Sequence, residues 1–241
     1  MEGSALTSHD AQRRRRSSDR QAPEAAAQPC GCGAERLEPL IAGYQRFRAT
    51  EWPREREQFE LTAEQGQRPH SLVIACSDSR VDPQMIFGAG PGELFVIRNV
   101  ASLVPPYEKD AAHHGTSAAI EFAVRILGVG RILVLGHQMC GGIGVLLDEG
   151  AAGEFDFAGR WMDLARAARH AGDGLDSPEA RRTACEQAAV RLSLANLLTF
   201  PWLAEAVREG KLSLHGGYFD IQHARLLILG DDDEFVAAEA L

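Results

Sequence analysis

Apolar residues recur along the chain with two different periods. Between residues 34 and 64, Leu37, Leu40, Ile41 and Tyr44 fall at i, i+3, i+4 and i+7, the spacing of one helical face. Gln65-Gly-Gln-Arg-Pro69 interrupts that pattern with residues that punctuate secondary structure. Short, nearly continuous apolar runs follow at Leu72–Cys76, Leu94–Ile97 and Arg131–Gly136, and later at Leu212–His215 and Arg225–Leu229. Runs of this kind, rich in Val, Ile and Leu, suit strands buried on both faces. Helical patterns lie between them. In 116–128, Ile120, Ala123, Val124 and Leu127 form one stripe. Ser177-Pro178-Glu179 reads as a helix start, with serine as cap and proline at the first position. The helix it opens carries Val190, Leu194, Leu197 and Leu198 along one side. Strands alternating with helices predict an α/β fold: a central, mostly parallel β-sheet flanked by helices on both faces.

The flanks differ in composition. Residues 1–33 are polar, rich in Arg, Ser, Ala and Gln, and aperiodic, so they read as a disordered leader. Residues 34–230 read as a single domain with a helical arm at 34–64, and 231–241 as an acidic C-terminal tail. A chain of 241 residues with 45% hydrophobic content has room for such a core. The net charge of −9 argues against nucleic-acid partners. No apolar run approaches the roughly 18 residues of a membrane span.

Cysteines stand at 30, 32, 76, 140 and 185. That odd number without a regular framework points to thiol or metal chemistry in a reducing compartment. Arg13 to Arg16 lack the apolar stretch an export signal needs, so the expected location is cytoplasmic. Cys30-Gly-Cys32 has no nearby partners and falls in the leader. Cys185 reads as a small core residue, and His113-His114 as surface residues.

Two short motifs carry chemistry: Cys76-Ser-Asp-Ser-Arg80 and His137-Gln-Met-Cys140. Cys76 and His137 each end a predicted strand, and Cys140 lies just beyond, before Gly141-Gly142. Sites of open α/β sheets gather at such carboxyl ends. Two thiolates and one imidazole are usual donors for Zn²⁺, here one ion per chain. The fourth position belongs either to water or to Asp78. Arg80 is close enough to hold Asp78 as an ionised acceptor. Such an acceptor orients a zinc-bound hydroxide, whose single hydrogen bond it accepts, and leaves a lone pair aimed at the substrate. Without the arginine the carboxylate swings onto zinc and closes the site. A plainer alternative has Ser77, Asp78 and Ser79 capping the following turn. Two thiolates offset the metal charge, so bound water titrates above the pKa of about 7 seen with three histidines. Activity is then expected to rise toward alkaline pH.

CSDSRVDP at 76–83, PGELFVIRNVASLVPPY at 91–107, GTSAAIEFAVRILGV at 115–129, GHQMCGGI at 136–143 and GGYFDI at 216–221 resemble the β-class carbonic anhydrases. The likeness covers about residues 65 to 230. It implies zinc on Cys76, His137 and Cys140, a catalytic dyad of Asp78 and Arg80, and reversible hydration of CO₂ to bicarbonate and a proton. It also implies homodimers or larger homo-oligomers with the active site at the subunit interface. The N-terminal helices would pack on a partner subunit.

In one branch of that family a regulatory bicarbonate pocket uses tryptophan, arginine and tyrosine. The matching positions here are Val73, Arg98 and Phe219, so two of three anchors are missing. Gln67 instead stands where plant-like, open-site members carry a substrate-binding glutamine. Phe95, Val100 and Gly141 match the remaining substrate positions, and Phe122 replaces a usual tyrosine. Two alternatives remain: hydrolysis of carbonyl sulfide or carbon disulfide at the same zinc, and a non-catalytic zinc-bearing assembly protein.

Overall fold

The computed structural model describes residues 34–110, 112–148 and 155–240. The leader, with Arg13 to Arg16, Cys30 and Cys32, lies outside the described residues. Helix α1 (Ala34–Thr50) belongs to one compact unit and the chain from Glu51 onward to another. Within α1 the predicted stripe of Leu37, Leu40, Ile41 and Tyr44 is exposed. Residues 34–64, expected as a helical arm, are helical in two segments. The helix breaks at Glu51, and α2 (Trp52–Gln65) begins anew with Pro53 in its first turn, where a missing N–H costs nothing.

In the second unit six strands form one sheet: β1 (Ser71–Cys76), β2 (Leu94–Asn99), β3 (Arg131–His137), β4 (Ser213–Asp220), β5 (Arg225–Leu229) and β6 (Phe235–Ala237). The order is β2-β1-β3-β4-β5-β6. The first four run parallel, and β5 and β6 add antiparallel. Every residue of β1 is buried, as expected of a central strand covered on both faces. Leu72 and Ile74 join a core with Ile132, Val134, Ile120, Val190 and Leu197, while Val73 and Ala75 face Leu135 and Phe87 on the other side.

Helices fill the connections: the short α3 (Pro83–Phe87), α4 (Gly115–Glu121), α5 (Gly141–Leu147) and α6 (Ala158–Met162), the long α7 (Pro178–Leu197), and α8 (Pro201–Arg208). Ser177 caps α7 by accepting the Ala180 N–H at 3.2 Å, as its sequence signature predicts. Val190 and Leu197 are buried, but Leu198 is 47% exposed because the helix ends one residue before it. The helix expected over 116–128 widens to π geometry at Phe122–Ile126.

Residues 231–240, within the expected acidic tail, contain the last strand of the sheet. Gly230 N–H bonds to Glu234 O at 2.8 Å, turning the chain so that β6 pairs with β5. Phe235 then packs edge-on to Tyr218 and under the Arg191 guanidinium. Arg191 Nε also donates to Asp233 Oδ1 at 2.9 Å. The aromatic anchor and the arginine outweigh the local run of negative charge.

Candidate metal centre

Because β1 and β3 are adjacent and parallel, their carboxyl ends place Cys76 and His137 side by side. Cys140 follows after a left-handed residue, Met139 at φ 58°, a conformation that non-glycine residues adopt sparingly. The potential ligand atoms of Cys76, His137 and Cys140 lie within 4.8 Å of one another, and all three residues are buried. His137 Nδ1 donates to Gln138 O at 2.9 Å, which leaves Nε2 as the lone-pair nitrogen. Among the described residues, His137 Nε2 is a buried side-chain atom with no hydrogen-bond partner. A buried orphan costs free energy unless something binds it. A soft divalent cation fits that nitrogen and the two thiols.

The electrostatics agree. The Cys140 thiol, and after it His137, lowers the Cys76 pKa to about 4, while the same contact and burial push Cys140 up. Burial alone would depress His137, but the neighbouring Cys76 thiolate and the Gln138 carbonyl raise it on balance. The shifts favour a thiolate at Cys76, the form in which sulfur binds a metal. Ala101 supplies one weak partner: at φ 64° its N–H points to Cys76 Sγ at 3.4 Å. Gly142 lets this turn approach, since a Cβ there would lie 2.7 Å from Val100 Cγ1.

Asp78 and Arg80 form the predicted pair. Asp78 Oδ1 accepts both the Arg80 backbone N–H and Nε at 2.9 Å, and Oδ2 accepts Nη2 at 2.7 Å. The Arg80 hydrogen bond holds the Asp78 carboxyl well below the usual carboxylate range. Asp78 is not among the clustered ligand residues.

Sequence reasoning missed a network behind Cys140. Glu186 of α7, only 3% exposed, accepts the Cys140 N–H at 2.9 Å, the Tyr218 hydroxyl at 2.7 Å and Arg182 Nε at 3.2 Å. Arg182 Nη2 donates to Cys140 O at 2.6 Å. Burial pushes the Glu186 pKa up. The available signal was an acidic residue four positions before Val190, on the apolar stripe of α7.

The remaining expected residues divide into two groups. Val100 lies against Gly142 and Gly141 follows Cys140, so both sit at the centre. Gln67 and Phe95 line a separate cavity of about 460 Å³ with Arg98, and Phe122 stacks on Phe95 at 5.9 Å. Phe95 pairs with Leu72, four residues back from Cys76, a distance of about 13 Å at the usual strand rise. Phe95 therefore stands apart from the metal centre of its own chain, with Gln67 in the same cavity and Phe122 stacked against it. Val73 and Phe219 pack together in apolar core. His113 and His114 line an 820 Å³ cavity that also includes Val100 and Trp161, and His114 pairs with Asp110 at 2.7 Å. Cys185 is buried, as expected.

The chain matches the family model for carbonic anhydrase over residues 71–226. It is 44% identical over 160 residues to beta carbonic anhydrase 5, chloroplastic, of Arabidopsis thaliana, covering 64% of this chain and 52% of that protein. The chain thus spans about half the length of that relative. It is 38% identical to a carbonic anhydrase of Pseudomonas aeruginosa, covering 79% of this chain and 86% of that one. Its fold is similar to that of the β-carbonic anhydrase CcaA, with TM-score 0.78 and 35% identity over 84% of this chain and 92% of that one. It also resembles one of two tetrameric β-carbonic anhydrases from Sordaria macrospora, with TM-score 0.73 and 30% identity over 81% and 98% of the two chains.

Proposed function

The chain belongs to the β-class carbonic anhydrases, and from that premise we propose that it hydrates CO₂ reversibly to bicarbonate and a proton, with one Zn²⁺ held by Cys76, His137 and Cys140. The observation that carries this reading is the orphaned His137 Nε2 grouped with two buried thiols, beside an arginine-held carboxylate. When bound, the ion supplies the Lewis acidity that lets water act as hydroxide near neutral pH.

The chain's own residues do the rest. Asp78 Oδ1 already accepts two hydrogen bonds from Arg80, while Oδ2 accepts one. A carboxylate oxygen has about two acceptor sites, so Oδ2 is the atom with one to spare. It accepts a hydrogen bond from the attacking hydroxide, which keeps its hydrogen, and so orients the oxygen lone pair toward the CO₂ carbon. The new C–O bond forms as one C=O electron pair moves onto oxygen, giving bicarbonate. Val100 offers CO₂ an apolar wall. Arg80 keeps Asp78 anionic, and so an acceptor, throughout the working pH range.

Gln67, Phe95 and Phe122 complete the pocket in this reading when they come from a second copy of the chain. The separation of Phe95 from the centre of its own chain favours that arrangement, as does the tetrameric state of the Sordaria relatives. The substrate-binding amide of Gln67 and the packed Val73 and Phe219 favour the plant-like, open-site type. No helix among the described residues is long and apolar enough to cross a membrane. The cytoplasmic location stays part of the reading, supported by Cys76, Cys140 and Cys185 being free thiols.

The test is stopped-flow CO₂ hydration on zinc-quantified protein across mildly acidic to alkaline pH. Turnover present near neutrality and rising smoothly is expected. No turnover at any pH with one zinc per chain would overturn the reading and redirect the search to sulfur analogues of CO₂ or to assembly.

A further inference from the structure

Arg98 has no task in the mechanism above, yet its guanidinium is spent on the segment that carries Asp78. Nε donates to Cys76 O at 3.0 Å, Nη2 donates to Asp78 O, and Nη1 donates to Asp82 Oδ2 at 2.8 Å. One side chain on β2 therefore grips the beginning, middle and end of the bend that joins β1 to α3. Asp82 is shared in turn: its other oxygen accepts the Gln84 and Met85 N–H groups at 2.9 and 3.4 Å and so caps α3.

The Arg80–Asp78 pair cannot do this work alone. Both residues belong to the bend and move with it. Arg80 has one hydrogen bond outside the bend, from Nη2 to Met139 O, and at 3.3 Å it is long. Arg98 stands on a different strand, so its contacts fix the bend relative to the sheet. Three acceptors in different directions suit the rigid fork of a guanidinium and not the single point of an ammonium. Among the described residues Arg98 is also the only cation lining the 460 Å³ cavity, and Asp82 already meets its charge. That cavity is therefore poorly equipped to hold a further anion.

We propose that Arg98 and Asp82 are positioning residues that lock the 76–82 bend, so that the Asp78 carboxylate stays on Arg80 and off the Cys76–His137–Cys140 centre. This rests on the reading of Asp78 as the hydrogen-bond acceptor that orients the hydroxide.

Two variants separate the clamp from the helix cap. Asp82→Ser keeps a good capping oxygen but has neither the reach nor the charge to hold Arg98. Arg98→Lys keeps the charge and loses the fork. Each zinc-loaded protein is compared with wild type and Asp78→Ala for kcat, KM and Tm, and its cobalt-substituted form for the visible spectrum. A displacement of about 1 Å costs up to roughly 10²-fold in rate, so kcat is expected to fall about 10- to 100-fold, with KM within about twofold. The cobalt spectrum is expected to show an added oxygen ligand that disappears when Asp78→Ala is combined with either variant. In the Asp78→Ala background neither substitution should lower the residual rate further, because coupled residues are not additive.

Wild-type kcat in a folded Asp82→Ser or Arg98→Lys protein overturns the proposal. So does an unchanged cobalt spectrum, or a loss that multiplies in the Asp78→Ala background. If one variant does not fold, the other carries the same readouts. Full activity of Asp78→Ala itself would instead sink the reading of Asp78 and leave the clamp without an object.

Discussion

Replacing Glu186 by alanine removes the acceptor that three groups share behind Cys140. The Cys140 N–H and the Tyr218 hydroxyl are both interior, and each loses its hydrogen-bond acceptor. An unsatisfied buried donor costs about 1–3 kcal/mol. Arg182 also loses its carboxylate, but its side chain is 24% exposed and partly recovers water, so its share lies at the low end. Burial already disfavours the charged form of Glu186, and removing the charge returns some desolvation energy. The net loss is expected near 3 kcal/mol, at the lower edge of the roughly 3–5 kcal/mol for breaking a buried pair on one side.

Glu186→Gln keeps an acceptor for the Cys140 N–H and should lose only about 1–2 kcal/mol. The assay is urea unfolding at matched protein and zinc concentrations, because ligand and subunit binding both shift apparent stability. Zinc release to a chelator is followed in parallel. Glu186 and Arg182 hold both main-chain polar groups of Cys140, so release should quicken in the order wild type, Gln, Ala. A Glu186→Ala protein within about 0.5 kcal/mol of wild type, with wild-type zinc release, would refute the reasoning.

Cys140→Ser should lose zinc, and with it turnover; a metal-free variant that still hydrated CO₂ would exclude the zinc reading. Gly136→Ala places a Cβ 2.5 Å from Val190 Cγ2, and that β-branched side chain has little rotamer freedom in a helix. The overpacking should cost about 1–3 kcal/mol in unfolding, with Val190→Ala restoring part of it; additive losses would show the clash is not the cause. Asp78 is depressed by Arg80, so its ion pair is present above the unfolded carboxyl pKa of about 3.9 and is lost only as pH falls through the lower folded value. In Arg80→Gln the Asp78 carboxyl should titrate close to its ordinary value, read from its carbonyl carbon NMR shift; an unmoved titration would mean another group holds it down.

The sequence by itself determined the parts that depend on local chemistry. Cys76 and His137 were legible as strand ends because uninterrupted Val, Ile and Leu runs stop at them. Asp78 and Arg80 could be paired because two residues of separation leave little choice of geometry. The Ser177-Pro178 start of α7 was legible for the same reason. Tertiary structure decided whatever depends on which distant segments meet. The order β2-β1-β3-β4 makes Cys76 and His137 neighbours. α7 crosses behind Cys140 and delivers Glu186 and Arg182, and β2 delivers Arg98 to the bend after β1. Phe235 turned a run of acidic residues into the approach to an edge strand. The sequence alone did not show how far Phe95, expected to line the substrate pocket, stands from the metal centre of its own chain. Spacing along a chain constrains contacts a few residues apart, whereas contacts across a sheet follow from packing that no local pattern encodes.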